Sequence, residues 1–160
     1  MSQRTATFVC YIDDNGKKTN KAYYCGWGVG RYQINAIMGN FLAQIGEKKF
    51  DLSGSHNMSR ERLKGLKNAD LSDIKQVGKL IAQMDNNNGG TVAIVNDTEQ
   101  TFQIGFLLGS EEVQGTDEKP FSRFVSFNEW CAKVGKPHVD EDYRAMFLAF
   151  CDHFKITILK

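Results

Sequence analysis

The sequence predicts one α+β domain spanning residues 1–160, built on a mainly antiparallel sheet of about five strands with helices packed mostly on one face. Two hairpin patterns and a final strand-like segment predict the sheet, because they are rich in aromatic and β-branched residues. Apolar residues at helical spacing between those segments predict the helices. A chain of 160 residues is long enough to bury a hydrophobic core without disulfides or metals.

The first hairpin joins two strands across a polar turn region, at residues 7–12 and 22–27. Two registers fit the pattern. In one, Cys10 lies opposite Cys25; in the other, a tight type I′ turn at Asn15 and Gly16 places Lys21 opposite Cys10. Both registers put the two cysteines on one face. We therefore expect these thiols to be adjacent but unlinked, because reducing compartments keep such thiols apart.

Three longer helices are predicted from apolar residues that recur every three or four positions. The first carries Ile34 and ends at Gly46; the second is capped by Asp70 and the last by Asp140. Two shorter helices are predicted over residues 59–67, which are basic, and after the S-x-x-E pattern of residues 126–129. The expected buried core is Ile34, Ile37, Phe41, Leu42, Phe106, Phe147 and Phe150.

A second hairpin and a terminal strand complete the predicted sheet, at residues 91–95, 101–108 and 156–159. Apolar residues alternate with other residues along the second strand of this hairpin, which is typical of a strand with two different faces. The acidic stretch 111–118 contains Gly115 and ends before Pro120, so we expect a solvated loop there.

Composition favours no particular class of partner. The formal net charge is +1 and the sequence pI is about 7.6, so overall charge does not indicate nucleic acid, anionic membrane or acidic substrate. No apolar run approaches the roughly 20 residues that span a bilayer, and the amino terminus has no apolar leader. These observations predict a cytoplasmic protein without membrane association.

The four cysteines are widely spaced and form no C-x-x-C pair, so they resemble neither a zinc site nor a secreted disulfide framework. We expect Cys131 and Cys151 to be buried free thiols. No metal site, cofactor or catalytic residue is predicted.

A glycine-rich segment between the first hairpin and the first helix is the predicted ligand-binding site. Its backbone amides and the adjoining helix amino terminus suit a phosphate or carboxylate, and an arginine adds a bidentate clamp. The residues are Gly26, Gly28, Gly30, Arg31 and Tyr32. The alternative is a tight bend that needs the freedom of glycine. Because Arg31 occupies the third glycine position of G-x-G-x-x-G, this is not a dinucleotide fingerprint.

Basic residues of the first hairpin form a predicted interaction surface, consisting of Lys17, Lys18, Lys21 and Tyr24. Charge beside aromatic rings also suits a single-stranded nucleic acid, so a nucleic-acid-binding module is an alternative and less favoured function.

No catalytic constellation is complete, so the sequence favours a small non-enzymatic binding protein. The expected partner is a host protein or a small anionic, nucleotide-like ligand. A phage or mobile-element origin is a hypothesis that rests on the lack of a recognised motif and on no particular residue. The alternative from a different class is an enzyme that holds a phosphate or carboxylate substrate at residues 26–31. The sequence indicates no oligomeric state.

Overall fold

The structure, a computed structural model, describes residues 4–25, 34, 38, 57–59, 63–135 and 139–160. It confirms the α+β class. The strands are β1 (Thr5–Ile12), β2 (Lys18–Cys25), β3 (Asn57–Ser59), β4 (Gly90–Asn96), β5 (Thr101–Leu107) and β6 (Ile156–Ile158). The helices are α1 (Ile74–Ile81), α2 (Ser110–Val113), α3 (Phe127–Trp130), a π-helix (Cys131–Gly135) and α4 (Glu141–His153). No helix among the described residues is long and apolar enough to cross a membrane.

The six strands form one mixed sheet in the order β3-β2-β1-β4-β5-β6. The prediction of a mainly antiparallel sheet is wrong, because β1 pairs in parallel with β4, and β5 in parallel with β6. Parallel neighbours need a long crossover connection, usually a helical one. Here α1 lies in the connection from β1 to β4, and α2 to α4 lie in the connection from β5 to β6.

The turn between β1 and β2 overturns both predicted registers. Cys10 pairs with Asn20. Beyond the last strand pair, the Asp13 N–H donates to the Lys17 carbonyl at 3.0 Å, which leaves a three-residue turn of residues 14–16 in place of the tight Asn15-Gly16 turn. Gly16 adopts a φ of +79°, and its N–H donates to the Asp13 carbonyl at 3.0 Å. The Asp13 carboxylate accepts from the backbone N–H groups of Asn15 and Lys17, at 2.9 Å each. This side chain stabilises the longer turn and shifts the register.

The new register separates the two cysteines of the hairpin. Cys25 pairs with Thr5, five positions along β2 from the partner of Cys10. At a rise of about 3.3 Å per residue the two Cα atoms lie about 17 Å apart, beyond the roughly 7 Å limit for a disulfide. The expected adjacency of Cys10 and Cys25 is therefore wrong, and the absence of a link between them follows from the backbone alone.

Two hydrophobic clusters pack against the sheet, and alternation along β4 assigns them to opposite faces. The α1 cluster includes Val92 and Ile94, together with Val77 and Leu80 of α1. The aromatic cluster contains the neighbouring β4 residues Ala93 and Val95, together with Ile34, Phe106, Phe127, Trp130 and Phe147. How all the helices divide between the two faces stays a prediction, because residues 39–56 lie outside the described ones.

The predicted core is confirmed for three of its four described residues. Ile34, Phe106 and Phe147 are buried in the aromatic cluster, and Phe150 is partly buried against it. Three further predicted core residues, Ile37, Phe41 and Leu42, lie outside the described residues.

Helix caps follow the sequence pattern in two of three cases. Ser126 accepts from the Glu129 N–H at 3.1 Å, and Asp140 accepts from the Tyr143 N–H at 2.8 Å. The cap of α1 is Asp73 rather than the predicted Asp70.

The predicted basic helix is also wrong, because residue 59 belongs to β3 and residues 64–68 form turns. The acidic stretch begins with the short helix α2 rather than a loop throughout.

Candidate functional site

The predicted ligand-binding residues Gly26, Gly28, Gly30, Arg31 and Tyr32 lie outside the described residues. The chain enters this segment from Cys25, the last residue of β2, which pairs with Thr5 of β1. The glycine-rich site therefore stays a prediction.

The predicted basic surface divides between the two faces of β2. Lys18 and Tyr24 are an even number of residues apart and share a face, whereas Lys21 lies on the opposite face. Tyr24 packs partly buried against the α1 cluster, and Lys17 is exposed in the turn. Lys18 thus lies on a different face of the sheet from Lys21, and it lines the groove described below.

An open groove of about 390 Å³ lies on the sheet face that carries the α1 cluster. Its floor is formed by the ends of the central strands, and its wall is the connection of residues 69–72 that precedes α1. A volume of this size lies within the range of small-molecule sites. The groove is therefore the candidate functional site in the described part of the chain.

Strand pairing arranges the floor of the groove in two rows that run across the strands. The first row is Cys10, Ile94, Gln103 and Thr157, on four successive strands. The second row is Lys18, Ile12, Asn96 and Thr101, also on four successive strands. Four strands at about 4.8 Å spacing give a floor about 14 Å wide, and the rows are about 7 Å apart along the strands. The apolar residues Cys10, Ile12 and Ile94 adjoin one another on β1 and β4, whereas Lys18 borders them on β2 and polar side chains border them on β4, β5 and β6.

Two side chains of β2 fasten the wall of the groove to the sheet. The Lys18 ammonium donates to the Ala69 carbonyl at 2.8 Å. The buried Asn20 amide donates to the carbonyls of Leu66 and Ala69, at 2.8 Å each. These bonds hold the wall at a fixed distance from the floor, so the groove has a defined shape before any ligand enters.

The polar side chains at the rim are partly held in place by local hydrogen bonds. One carboxylate oxygen of Asp70 accepts from both the N–H and the hydroxyl of Ser72, at 3.0 and 2.6 Å. The side-chain amide oxygen of Asn96 (Oδ1) accepts from the Glu99 N–H at 3.0 Å. These hydrogen bonds use one oxygen of Asp70 and the side-chain oxygen of Asn96. They do not involve the second Asp70 oxygen or the side-chain NH2 group of Asn96.

Cys10 lies on the groove floor, and its chemistry restricts what the site can do. Burial raises the pKa of the Cys10 thiol to about 11, with smaller opposing effects of Lys18, which lowers it, and Asp70, which raises it. Burial likewise raises the pKa of Cys131 and of Cys151 to about 11. These two are buried free thiols, as predicted. Because the thiolate is the nucleophile, Cys10 is a poor nucleophile at neutral pH.

We expect the three described thiols to react slowly with iodoacetamide at pH 8 in the native protein. A pKa that rises from 9.0 to about 11 lowers the thiolate fraction about 100-fold, and burial slows the reaction further. Mass spectrometry of Cys10, Cys131 and Cys151 peptides gives each rate, and the same sample in urea is the control. Native labelling of Cys10 at the rate seen in urea would contradict its assignment as a buried, protonated thiol.

Most of the groove was not predicted from the sequence. Lys18 was singled out, but Asp70 was taken for a helix cap, and Asn96 and Gln103 were overlooked. The available signal was the presence of polar residues at the ends of otherwise apolar strands, on one alternating face. Among the described residues, no three His, Cys, Asp or Glu side chains group so as to hold a metal.

Comparison with known proteins gives no family for the chain. Neither a protein-family model nor a curated protein nor a solved structure matches it.

Proposed function

We propose that this chain is a small non-enzymatic binding protein that holds a small polar ligand in the groove. The observation that carries the proposal is the two-row floor, in which an apolar patch on β1 and β4 adjoins hydrogen-bonding side chains on β4, β5 and β6. Small-molecule sites typically combine an apolar contact surface with a few placed polar groups. The wall fixed by Lys18 and Asn20 adds preorganisation, which lowers the entropic cost of binding.

Binding is favoured over covalent catalysis by the state of the thiol on the floor. The raised pKa of Cys10 keeps it protonated at neutral pH, where it contributes contact surface rather than a nucleophile. Apart from the Lys18 ammonium, the remaining polar groups of the floor are amides and hydroxyls, such as those of Gln103 and Thr157, which orient ligands through hydrogen bonds.

We also propose a cytoplasmic location, a phage or mobile-element origin and a host protein as a further partner. The segment of residues 26–31 is proposed as a separate site for a small anion.

A melting-temperature screen tests the groove. We expect at least one member of a panel of nucleosides, nucleoside monophosphates, cyclic nucleotides and monosaccharides to raise the melting temperature of the wild-type protein. A ligand at 100 times its dissociation constant stabilises the folded state by about 2.7 kcal/mol. Thr101→Trp places a large ring on the groove floor at an exposed strand position and should abolish the shift.

Thr19→Trp is the matched control. Thr19 is also an exposed strand threonine, but it lies on the opposite face of β2 from Lys18. The control should retain the wild-type shift. A shift that survives Thr101→Trp would place the ligand elsewhere, for example at residues 26–31, and the absence of any shift would contradict the proposal.

A further inference from the structure

Negative side chains outnumber positive ones around the groove, and this charge balance indicates which class of ligand it favours. The described lining contains one cationic side chain, Lys18, and two carboxylates, Asp70 and Glu99. Lys18 already donates one hydrogen bond to the wall at Ala69. An anionic ligand would therefore meet one cation whose hydrogen-bonding capacity is partly used and two like charges.

The two carboxylates lie on different elements that border the floor. Asp70 belongs to the wall that precedes α1, whereas Glu99 belongs to the turn between β4 and β5. The hydrogen bonds from Ser72 to Asp70 use one oxygen of that carboxylate. The other oxygen and the Glu99 carboxylate are acceptors for the hydroxyl or amino groups of a ligand.

The apolar patch on β1 and β4 indicates the shape of the ligand. Ile12 and Ile94 lie on adjacent strands, in different rows, next to the Cys10 thiol, and polar residues follow on β5 and β6. A flat ring placed over these two side chains would have its polar substituents on the side of Thr101, Gln103 and Thr157. The floor is about 14 Å wide, which accommodates one or two rings.

We infer that the groove selects an uncharged, ring-shaped ligand that carries several hydroxyl or amino groups, and that it discriminates against the phosphorylated form of the same ligand. This inference rests on the proposed binding function and names its ligand class. It differs from the anion site predicted at residues 26–31, because the groove carries more negative than positive side chains.

Pairs of ligands that differ only by a phosphate group test this selectivity by calorimetric titration of the full chain. The probes are adenosine with adenosine 5′-monophosphate, and glucose with glucose 6-phosphate. We expect the wild-type protein to bind the uncharged member of at least one pair more tightly. Asp70→Asn combined with Glu99→Gln should reduce that preference about three- to tenfold, because exposed like charges contribute modestly and are screened by salt.

A control variant separates charge selectivity from general loss of structure. Asp117→Asn removes an exposed carboxylate that does not line the groove, and it should leave the preference unchanged. Tighter binding of the phosphorylated member, abolished by Thr101→Trp, would overturn the inference and leave the proposed function standing. Binding of no probe would overturn both.

Discussion

Phe106→Ala is expected to lower the free energy of unfolding by about 4 kcal/mol, since truncating a buried phenylalanine typically costs about 3–5 kcal/mol. Phe106 is fully buried, and its ring centroid lies 5.3 Å from that of Phe127, 5.2 Å from that of Trp130 and 6.2 Å from that of Phe147. The substitution removes one member of all three ring pairs. Urea unfolding followed by circular dichroism measures the loss.

Leu148→Ala on α4 is the control for this substitution. Leu148 is 42% exposed, so its truncation should change stability by no more than about 0.5 kcal/mol. A Phe106→Ala protein that loses less than about 1.5 kcal/mol would show that the aromatic cluster rearranges around the cavity or is packed differently from the structure.

Gly89→Ala is expected to destabilise the protein by about 3 kcal/mol. A Cβ at this position would lie 2.6 Å from the Leu107 carbonyl oxygen, 3.0 Å from Val134 and 3.1 Å from the Trp130 indole nitrogen. The closest of these atoms is backbone in β5, which cannot move without disturbing the β4–β5 ladder. Overpacking of this kind typically costs about 1–3 kcal/mol.

The same substitution at Gly78 should have the opposite sign. Gly78 lies within α1, where an added Cβ would meet only the Phe121 carbonyl oxygen at 3.6 Å, an ordinary contact distance. Alanine in a helix interior is favoured over glycine by about 1 kcal/mol. Urea midpoints of the two variants test both expectations. Destabilisation by Gly78→Ala would contradict the packing described around Gly78, and no destabilisation by Gly89→Ala would contradict the packing described around Gly89.

Local features of the fold were predictable from the sequence because they depend on neighbouring residues. The caps at Ser126 and Asp140 follow from a side chain and a backbone N–H three residues apart. The periodic burial of Phe147 and Cys151 in α4 follows in the same way from helical spacing.

Sheet topology was not predictable by treating each hairpin separately. The pairing of β1 with β4 joins two segments that are far apart in sequence, and no local pattern specifies it. The sequence did contain a hint, because residues 8–12 and 92–95 are continuous apolar runs without alternation, and the structure buries both strands along nearly their whole length. Such continuous apolar runs are typical of central strands in parallel pairing.

The groove was missed for a related reason. Its floor collects residues from five strands, and only the registers place Lys18, Asn96 and Thr101 in one row. An error of one residue in a register moves a side chain to the other face of the sheet. The predicted tight turn differed from the observed one by such a shift, since it paired Cys10 with Lys21 rather than with Asn20.

The parallel β1–β4 pair has a consequence for the rate of folding. The hydroxyls of Thr7 and Thr91 meet at 3.1 Å across this pair, although the residues are 84 positions apart in the chain. Each adjoining hairpin closes only a short loop, whereas joining β1 to β4 fixes a long one at a greater entropic cost. The two hairpins are therefore expected to form early, and their docking along β1 and β4 to limit the folding rate. A substitution that weakens the packing of β1 against β4 should therefore slow folding more than one that weakens either hairpin turn.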